Sequence, residues 1–205
     1  TLRQGALAGR LIRPARVYVE GAGYNMAVFS DDHGRTWQPS TPFPVDGTGE
    51  GCVTELDDGR IYYSSRQHRF AEGEPLRHER LHAWSRDGGE TFTDAAHSSL
   101  PDGPAYRGEE GRGANYNGHF GMAAGLTRLP VSGRDILLYS NADEASHERV
   151  RLTVWASLDG GATWPVKRLI DEGPSAYSSL AVGRPGTPSE GWIFAQYEER
   201  SGGGR

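Results

Sequence analysis

Two arginines, two glutamates and a tyrosine could do chemistry together if the fold collects them: Glu50, Arg66, Arg149, Tyr177 and Glu198. Arginine carries a planar, permanently charged fork that binds carboxylates through two hydrogen bonds. A tyrosine hydroxyl can act as a nucleophile when a neighbouring carboxylate takes up its proton. Singly, however, an arginine or a glutamate in a loop is usually a solvated surface residue. The elements that position these five residues therefore decide whether they form a site.

Three copies of the pattern Ser-x-Asp-x-Gly-x-Thr-aromatic, here called Asp boxes, lie at residues 30–37, 85–92 and 157–164. Each box predicts a turn, because the Asp side chain can bind N–H groups of its own loop and glycine permits a positive φ. Each box follows a strand-like run, and these runs are 25–29, 80–84 and 151–155. Three boxes behind three strands indicate repeated four-stranded blades, with an insertion in the second interval.

The remaining strands are predicted to form three hairpins. These hairpins pair residues 52–56 with 60–64, 124–129 with 135–139, and 179–182 with 192–197. Each hairpin is interpreted as the first two strands of a blade. Residues 9–19 supply the second strand of a blade whose first strand is missing. We therefore predict an all-β propeller over 1–200 with an incomplete opening blade, two full blades and a half blade, followed by a glycine-rich end at 201–205. A stand-alone β-sandwich is the alternative, which the regular boxes disfavour.

Propeller geometry places the candidate residues on one face of the disc. In a four-stranded meander, the turns between strands 1 and 2 and between strands 3 and 4 share one face, which holds the Asp boxes. Glu50 and Tyr177 come just ahead of inner strands, whereas Arg66, Arg149 and Glu198 come at the ends of second strands or the starts of third strands. All five residues are therefore expected at the opposite mouth of the central channel, where propellers commonly bind ligands.

Several segments resemble the bacterial exo-α-sialidase (neuraminidase) family. Residues 50–60, Glu-Gly-Cys-Val-Thr-Glu-Leu-Asp-Asp-Gly-Arg, are similar to the segment that begins with the family's catalytic glutamate, and Ser65-Arg66 resembles its second arginine. The run 136–141 followed by Arg149 resembles the approach to the third arginine. Gly-Pro-Ser-Ala-Tyr-Ser-Ser-Leu at 173–180 is similar to the nucleophile motif, and Phe-Ala-Gln-Tyr-Glu at 194–198 resembles the closing strand.

The resemblance implies a six-bladed propeller and a retaining sialidase. Tyr177 would be the nucleophile, because an anionic nucleophile would be repelled by the carboxylate on the anomeric carbon of sialic acid. Glu50 would draw the proton of Tyr177, and Arg66 and Arg149 would hold the substrate carboxylate. The glutamate of the closing strand, Glu198, would orient the first arginine. Tyr116, in the glycine-rich loop between Gly103 and Phe120, is a candidate contact for the glycerol or N-acyl group, with a plain surface loop as the alternative.

Two parts of the implied site have no match in this sequence. The family's first arginine usually stands in Phe-Arg-Ile-Pro, which does not occur here, and no Asp before Glu50 fits the acid/base position. Six blades need roughly 300 residues at the spacing of the boxes. The sequence is therefore expected to be a C-terminal fragment with about three and a half blades, which hydrolyses sialosides weakly or not at all by itself.

Composition excludes several other classes. A net charge of −5 argues against a general nucleic-acid surface, which needs a basic excess. A single cysteine, Cys52, excludes an internal disulfide and a multi-cysteine metal site, and no other residue spacing predicts a metal or a cofactor. No apolar run approaches the roughly 20 residues of a membrane span. The expected partners are sialylated glycans, glycoproteins or glycolipids, encountered by a secreted or periplasmic protein.

Two other functions stay open at this point. A non-catalytic Asp-box propeller could serve as a glycan-binding or interaction module, but such a module would need no nucleophile beside a base. Another Asp-box glycosidase would use paired carboxylates rather than an arginine cluster and a tyrosine. These residues also leave open whether a sialidase of this kind hydrolyses its substrate or transfers the sugar to another acceptor.

Overall fold

The computed structural model describes residues 1–68, 79–103, 121–131, 134–144 and 148–199. This part of the chain folds into β-strands and one short 3-10 turn at Gly5–Leu7. None of its helices has the length and apolar character required to cross a membrane. The strands are β1 (Leu11–Val19), β2 (Ala22–Ser30), β3 (Gln38–Pro39), β4 (Thr48–Glu55), β5 (Ile61–Gln67), β6 (Glu79–Ser85), β7 (Thr93–Pro101), β8 (Gly125–Val131), β9 (Arg134–Ala142), β10 (Val150–Ser157), β11 (Val166–Pro174), β12 (Ser178–Val182) and β13 (Ile193–Tyr197).

The strands form four antiparallel meanders in which sequence order equals spatial order. β1 to β3 make a three-stranded sheet, β4 to β7 and β8 to β11 make four-stranded sheets, and β12 pairs with β13. These sheets are the predicted incomplete opening blade, two full blades and half blade. The inner strands β4, β8 and β12 contact one another in order, β4 with β8 and β8 with β12, and β1, the second strand of the opening blade, also contacts β4. The start of each inner strand therefore lies at the same end of the channel.

Hydrophobic side chains fill the space between successive blades. Because side chains alternate along a strand, neighbouring residues of a strand with both faces covered belong to different cores. Tyr63 of β5 packs with Phe43, Ile61 and other side chains between the first two blades. Tyr62, one position earlier, packs with Tyr139 and other side chains between the second and third blades. The second blade is thus covered on both faces, as a blade inside a propeller must be.

The Asp boxes repeat one hydrogen-bond network. In the first box, the Ser30 hydroxyl donates to Asp32 at 2.8 Å, and Asp32 accepts from the Thr36 backbone at 2.8 Å and the Thr36 hydroxyl at 2.7 Å. The second and third boxes make the same bonds around Asp87 and Asp159. The prediction that this aspartate closes its own turn is confirmed in all three boxes.

Ion pairs fasten neighbouring blades together on the box face. Arg10, just before β1, is only 5% exposed and binds Asp31 of the first box at 2.7 Å and Glu90 of the second box at 3.0 Å. In the third blade, Arg128 binds Asp135 at 2.7 Å and also contacts Asp57, in the turn between β4 and β5. The third box lies beside the same turn, since a Cβ on its Gly160 would lie 3.6 Å from Oδ2 of Asp135. The boxes and the 57–59 turn therefore share one face, as predicted, which leaves the opposite face for the candidate residues.

Candidate active site

Glu50 lies on a β-bulge in the inner strand of the second blade. Gly49 pairs with Arg66 and Gly51 pairs with Ser65, so that Glu50 is the extra residue of β4. Its φ of 53° is in the left-handed region, which costs a residue with a side chain about 1 kcal/mol. A bulge re-aims a side chain that would otherwise follow the alternation of the strand. The sequence placed Glu50 just ahead of an inner strand; the structure places it inside β4, which begins earlier, at Thr48.

The glycines on either side of Glu50 allow the side chains of Tyr63 and His68 to pack closely against the bulge. A Cβ on Gly51 would lie 2.2 Å from Cε1 of Tyr63, and a Cβ on Gly49 would lie 2.8 Å from Nε2 of His68. Contacts this short do not occur, so a side chain at either position would displace the bulge or its neighbours. The sequence Gly-Glu-Gly is therefore a requirement of the local packing.

The hydroxyl of Tyr177 donates a hydrogen bond to Oε1 of Glu50 at 3.1 Å. Nη1 of Arg66 binds the other carboxylate oxygen, Oε2, and lies 3.4 Å from the Tyr177 hydroxyl. Arg66 is almost completely buried, with 3% of its side chain exposed, whereas about a third of the Glu50 side chain is accessible. The structure thus joins three sequence-predicted residues into one hydrogen-bonded cluster, contributed by β4, β5 and the residue before β12.

Tyr177 is held from its backbone side by the closing strand. Its N–H lies 3.4 Å from Oε2 of Glu198, and its carbonyl accepts from the Glu198 N–H at 3.0 Å. The Ala176 N–H in turn donates to the Glu198 carbonyl at 2.9 Å. Glu198 is therefore a neighbour of the tyrosine on the same face. The role assigned to it by resemblance, orientation of the first arginine, stays a prediction.

Arg149 lies over the ring of Tyr177, with its guanidinium carbon 5.2 Å from the ring centroid. A cation in this position is attracted to the face of the ring. Its carbonyl accepts from the Ser175 N–H at 2.7 Å, which links the approach to β10 with the tyrosine segment. Arg149 is exposed, whereas Arg66 is buried. Three of the five candidate residues, Glu50, Arg66 and Arg149, therefore surround the phenol of Tyr177, and the fifth, Glu198, holds its backbone.

The charges around Glu50 keep its carboxyl ionised. Burial tends to raise its pKa, but the hydrogen bond and charge of Arg66, the charge of His68 and the Tyr177 hydroxyl together bring the pKa below its ordinary value. An ionised Glu50 beside the phenol is the state in which a carboxylate can accept the phenolic proton. The cluster therefore places an ionised carboxylate within hydrogen-bond distance of the Tyr177 hydroxyl.

A second pair of charged residues, which the sequence did not single out, lies directly beneath Glu50. Arg80 of β6 and Asp102, just after β7, bind each other at 2.6 Å and are almost completely buried. Nη2 of Arg80 donates to the Glu50 carbonyl at 3.0 Å. The available signal was a charged residue opening the third-strand run 80–84, although its partner could not be found without the fold.

One predicted site residue, Tyr116, lies outside the described residues, as does most of its loop. Within the described ranges, no group of three or more His, Cys, Asp or Glu side chains is placed to hold a metal ion. Cys52 is a free cysteine, and its thiol donates to the Ala124 carbonyl at 2.8 Å.

The fold and this cluster define a class: Asp-box propellers whose channel mouth presents a tyrosine, a carboxylate and arginines. The family described as BNR repeat-like domains matches residues 3–187, so the chain belongs to that family. A sialidase of Micromonospora viridifaciens is 33% identical over 188 residues, which are 91% of this chain and 26% of the relative. A sialidase of Vibrio cholerae is 27% identical over 197 residues, with 86% of this chain and 23% of the relative covered.

Solved structures agree with the fold. The Hadza microbial sialidase Hz136 superposes with a TM-score of 0.67 at 28% identity, over 93% of this chain and 33% of that protein. The intramolecular trans-sialidase of Ruminococcus gnavus superposes with a TM-score of 0.68 at 20% identity, over 97% of this chain and 38% of that protein, and supports the fold alone. The fold is therefore a partial sialidase-type β-propeller, and its homologues belong to a glycoside hydrolase family. The chain spans about a quarter of the length of the curated relatives it matches.

Proposed function

We propose that this chain supplies the nucleophile side of the active site of an exo-α-sialidase, which removes terminal α-linked sialic acids from glycoproteins or glycolipids with retention of configuration. The observation that carries this proposal is the 3.1 Å hydrogen bond from the Tyr177 hydroxyl to Oε1 of Glu50, with Arg66 adjacent to both groups. A pure glycan-binding module has no use for a nucleophile paired with an ionised base. A secreted or periplasmic location would bring such an enzyme to these substrates.

In the first step, the phenolic oxygen of Tyr177 forms a bond to the anomeric carbon while the bond from that carbon to the aglycone oxygen breaks. The phenolic proton passes to Glu50, and the leaving oxygen takes a proton from a general acid. A neutral phenol suits this carbon because the adjacent substrate carboxylate would repel an anionic nucleophile. The charge of Arg66 beside the phenol stabilises the negative charge that develops on the tyrosine oxygen.

In the second step, water attacks the same carbon and the bond to Tyr177 breaks. The phenolate oxygen takes its proton back from Glu50, and the proton released by the water goes to the group that acted as the general acid in the first step. Two displacements on one carbon give retention of configuration. Transfer to a sugar acceptor instead of water follows the same path, so the choice between hydrolysis and transfer depends on what enters the site at this stage.

Arg149 and Arg66 are the proposed ligands of the substrate carboxylate. Arg149 is exposed above the phenol ring, so an incoming carboxylate reaches it first. The planar fork of arginine matches the two oxygens of a carboxylate, which an ammonium group cannot do.

The acid/base aspartate and the first arginine are proposed to come from blades that this chain does not contain. We therefore expect the 205-residue chain alone to turn over natural sialosides weakly or not at all. A substrate whose leaving group needs no protonation separates the nucleophile from the missing acid.

The test uses 2,3-difluorosialic acid, with which the sialidase of Trypanosoma rangeli has been solved as a covalent intermediate. Attack by Tyr177 expels fluoride from the anomeric carbon, so the step needs no general acid. Intact-protein mass spectrometry should show one sugar adduct, which peptide mapping should place on Tyr177. Tyr177→Phe should abolish the adduct, and Glu50→Gln should slow its formation by on the order of 100-fold or more, in the usual range for removal of a general base.

The matched control is Tyr18→Phe, since Tyr18 is an exposed tyrosine of the first blade. This variant should label like the parent. A parent chain that binds the sugar reversibly, detected by ligand-observed NMR, but never forms an adduct would instead support the glycan-binding module.

A further inference from the structure

Arg80 and Asp102 form an ion pair enclosed within the second blade. Their side chains are 0% and 3% exposed, and Nη1 of Arg80 lies 2.6 Å from Oδ1 of Asp102. Burial raises the pKa of the Asp102 carboxyl to about 6, and Arg80 opposes that rise, so the pair is ionised at neutral pH. A buried ion pair seldom stabilises a fold more than apolar side chains of the same size. Its presence at this depth therefore calls for another reason.

Arg80 compensates for the interrupted pairing at Glu50. As the extra residue of the bulge, Glu50 has no partner across the ladder to β5. Its carbonyl accepts from Nη2 of Arg80 at 3.0 Å. A bulge residue with a positive φ persists only where its surroundings hold it in place. The guanidinium of Arg80 provides this restraint on Glu50, whose side chain contacts Tyr177.

Asp102 acts in the same way on the adjoining strand. Its Oδ2 accepts from the backbone N–H of Gln67 at 2.8 Å, and Gln67 directly follows Arg66. The guanidinium of Arg80 is itself fixed by Ser64, through Nε at 3.1 Å, and by the Met122 carbonyl, through Nη1 at 2.8 Å. The Arg80–Asp102 ion pair thus connects the backbone carbonyl of Glu50 to the backbone N–H of Gln67, the residue after Arg66.

We propose that Arg80 and Asp102 are positioning residues, which set the geometry of Glu50 and Arg66 around the Tyr177 hydroxyl. They do not touch the phenol or the proposed sugar site, and they act through the backbone of residues 50 and 67. The consequence for the reaction rests on the proposed function, but the effect on Glu50 itself does not. Small displacements of reacting groups are costly, since an error of about 1 Å can reduce a rate roughly 100-fold.

Two conservative variants test this proposal in the 205-residue chain. Arg80→Lys keeps the charge but cannot reach both Asp102 and the Glu50 carbonyl with one fork. Asp102→Asn keeps the shape but presents a neutral amide to Arg80. Ser64→Ala removes only the hydrogen bond from Nε of Arg80 and leaves the Arg80–Asp102 ion pair and the backbone pairing of β5 in place, so it is the variant with the smallest expected effect. The matched control is Arg10→Lys, which changes another buried, ion-paired arginine, on the box face.

The first readout is the titration of the Glu50 carboxyl by carbon-13 NMR in chains labelled at glutamate, with the signal assigned by its loss in Glu50→Gln. In Arg80→Lys and Asp102→Asn the pKa of Glu50 should rise, because the hydrogen bond from Arg66 weakens while burial remains. Ser64→Ala should shift it in the same direction by less. Arg10→Lys should leave it unchanged, although all variants can lose thermal stability.

The second readout is the rate of labelling by 2,3-difluorosialic acid, which should fall at least 10-fold in Arg80→Lys and Asp102→Asn but stay at the parental rate in Arg10→Lys. Folded variants, including Ser64→Ala, with parental Glu50 titration would overturn the proposal. A parent that is never labelled would refute the proposed function alone, because a shifted Glu50 titration would still support positioning by Arg80 and Asp102.

Discussion

The hydroxyl of Tyr177 lies 3.1 Å from Oε1 of Glu50, although 127 residues separate the two in the sequence. Glu50 belongs to the inner strand of the second blade, and Tyr177 precedes the inner strand of the half blade. The full third blade stands between them in the sequence and carries Arg149. The contact therefore exists only when the second blade packs against the third and the third packs against the half blade, so the proposed chemistry at the phenol depends on the stacking of the blades.

Arg149→Ala should weaken the binding of free sialic acid by about 10-fold to 100-fold, because a hydrogen bond to a charged group contributes about 1.5–3 kcal/mol. Arg149→Lys should recover only part of this loss, since lysine keeps the charge without the fork. Dissociation constants from ligand-observed NMR would measure both effects. Arg35→Ala removes an exposed arginine from the box face and should bind like the parent; equal affinities in all four chains would exclude Arg149 from the site.

Asp32 of the first box should contribute to resistance against acid. Hydrogen bonds from the Thr36 backbone, the Thr36 hydroxyl and Ser30 lower its pKa to about 2, below the ordinary value of 3.8. Because the folded chain favours the ionised form, the contribution is complete above pH 3.8 and is lost as the pH falls towards 2.

The Asp32→Asn variant should therefore be less stable than the parent at neutral pH, and the difference should shrink between pH 4 and pH 2. Urea unfolding at several pH values would measure this convergence. Asp46→Asn, at an exposed loop position, is the control that should follow the parent throughout. Parallel stability curves for Asp32→Asn and the parent would contradict the expectation.

The backbone of the first box is strained at His33, and a glycine there would relieve the strain. His33 has a φ of 63° at the position where the second and third boxes have Gly88 and Gly160, with φ values of 76° and 69°. Since His33 is exposed, His33→Gly removes few contacts and should stabilise the chain by about 0.5–1 kcal/mol. Gly160→Ala should shift the free energy of unfolding in the opposite direction by a similar amount. Chemical denaturation of both variants gives the comparison, and a destabilised His33→Gly would show that the imidazole contributes contacts there.

The half blade should make the chain self-associate. Among the described strands β13 pairs with β12 only; its Ile193 and Phe194 are 45% and 46% exposed, and Trp192, just before it, is 61% exposed. An unpaired apolar edge recruits other strands. Phe194→Lys should reduce association, as followed by light scattering against protein concentration, whereas Leu158→Lys, at an exposed turn of the third box, should not. A parent chain that stays monomeric at all concentrations would contradict this prediction.

The sequence was sufficient for the blade plan because local rules decide it. The Asp boxes fix where third strands end, and alternation and turn residues fix the hairpins, so the face that holds Glu50, Arg66, Arg149 and Tyr177 followed from counting. The bulge at Glu50 was not predicted, since it depends on the register between β4 and β5. The Arg80–Asp102 pair was missed for a similar reason, because it joins residues that only the folded blade brings together.

The bulge in β4 also has a consequence for protein engineering. Glu50 reaches the phenol because β4 has one extra residue at the bulge. Deletion of either adjacent glycine would restore uninterrupted pairing with β5, and the side chains on one side of the deletion would then point to the opposite face of the sheet. The glutamate would then be redirected with its identity intact. A transplant of this cluster into another propeller must therefore carry Gly49-Glu50-Gly51 as one unit, together with the buried Arg80 that donates a hydrogen bond to the Glu50 carbonyl.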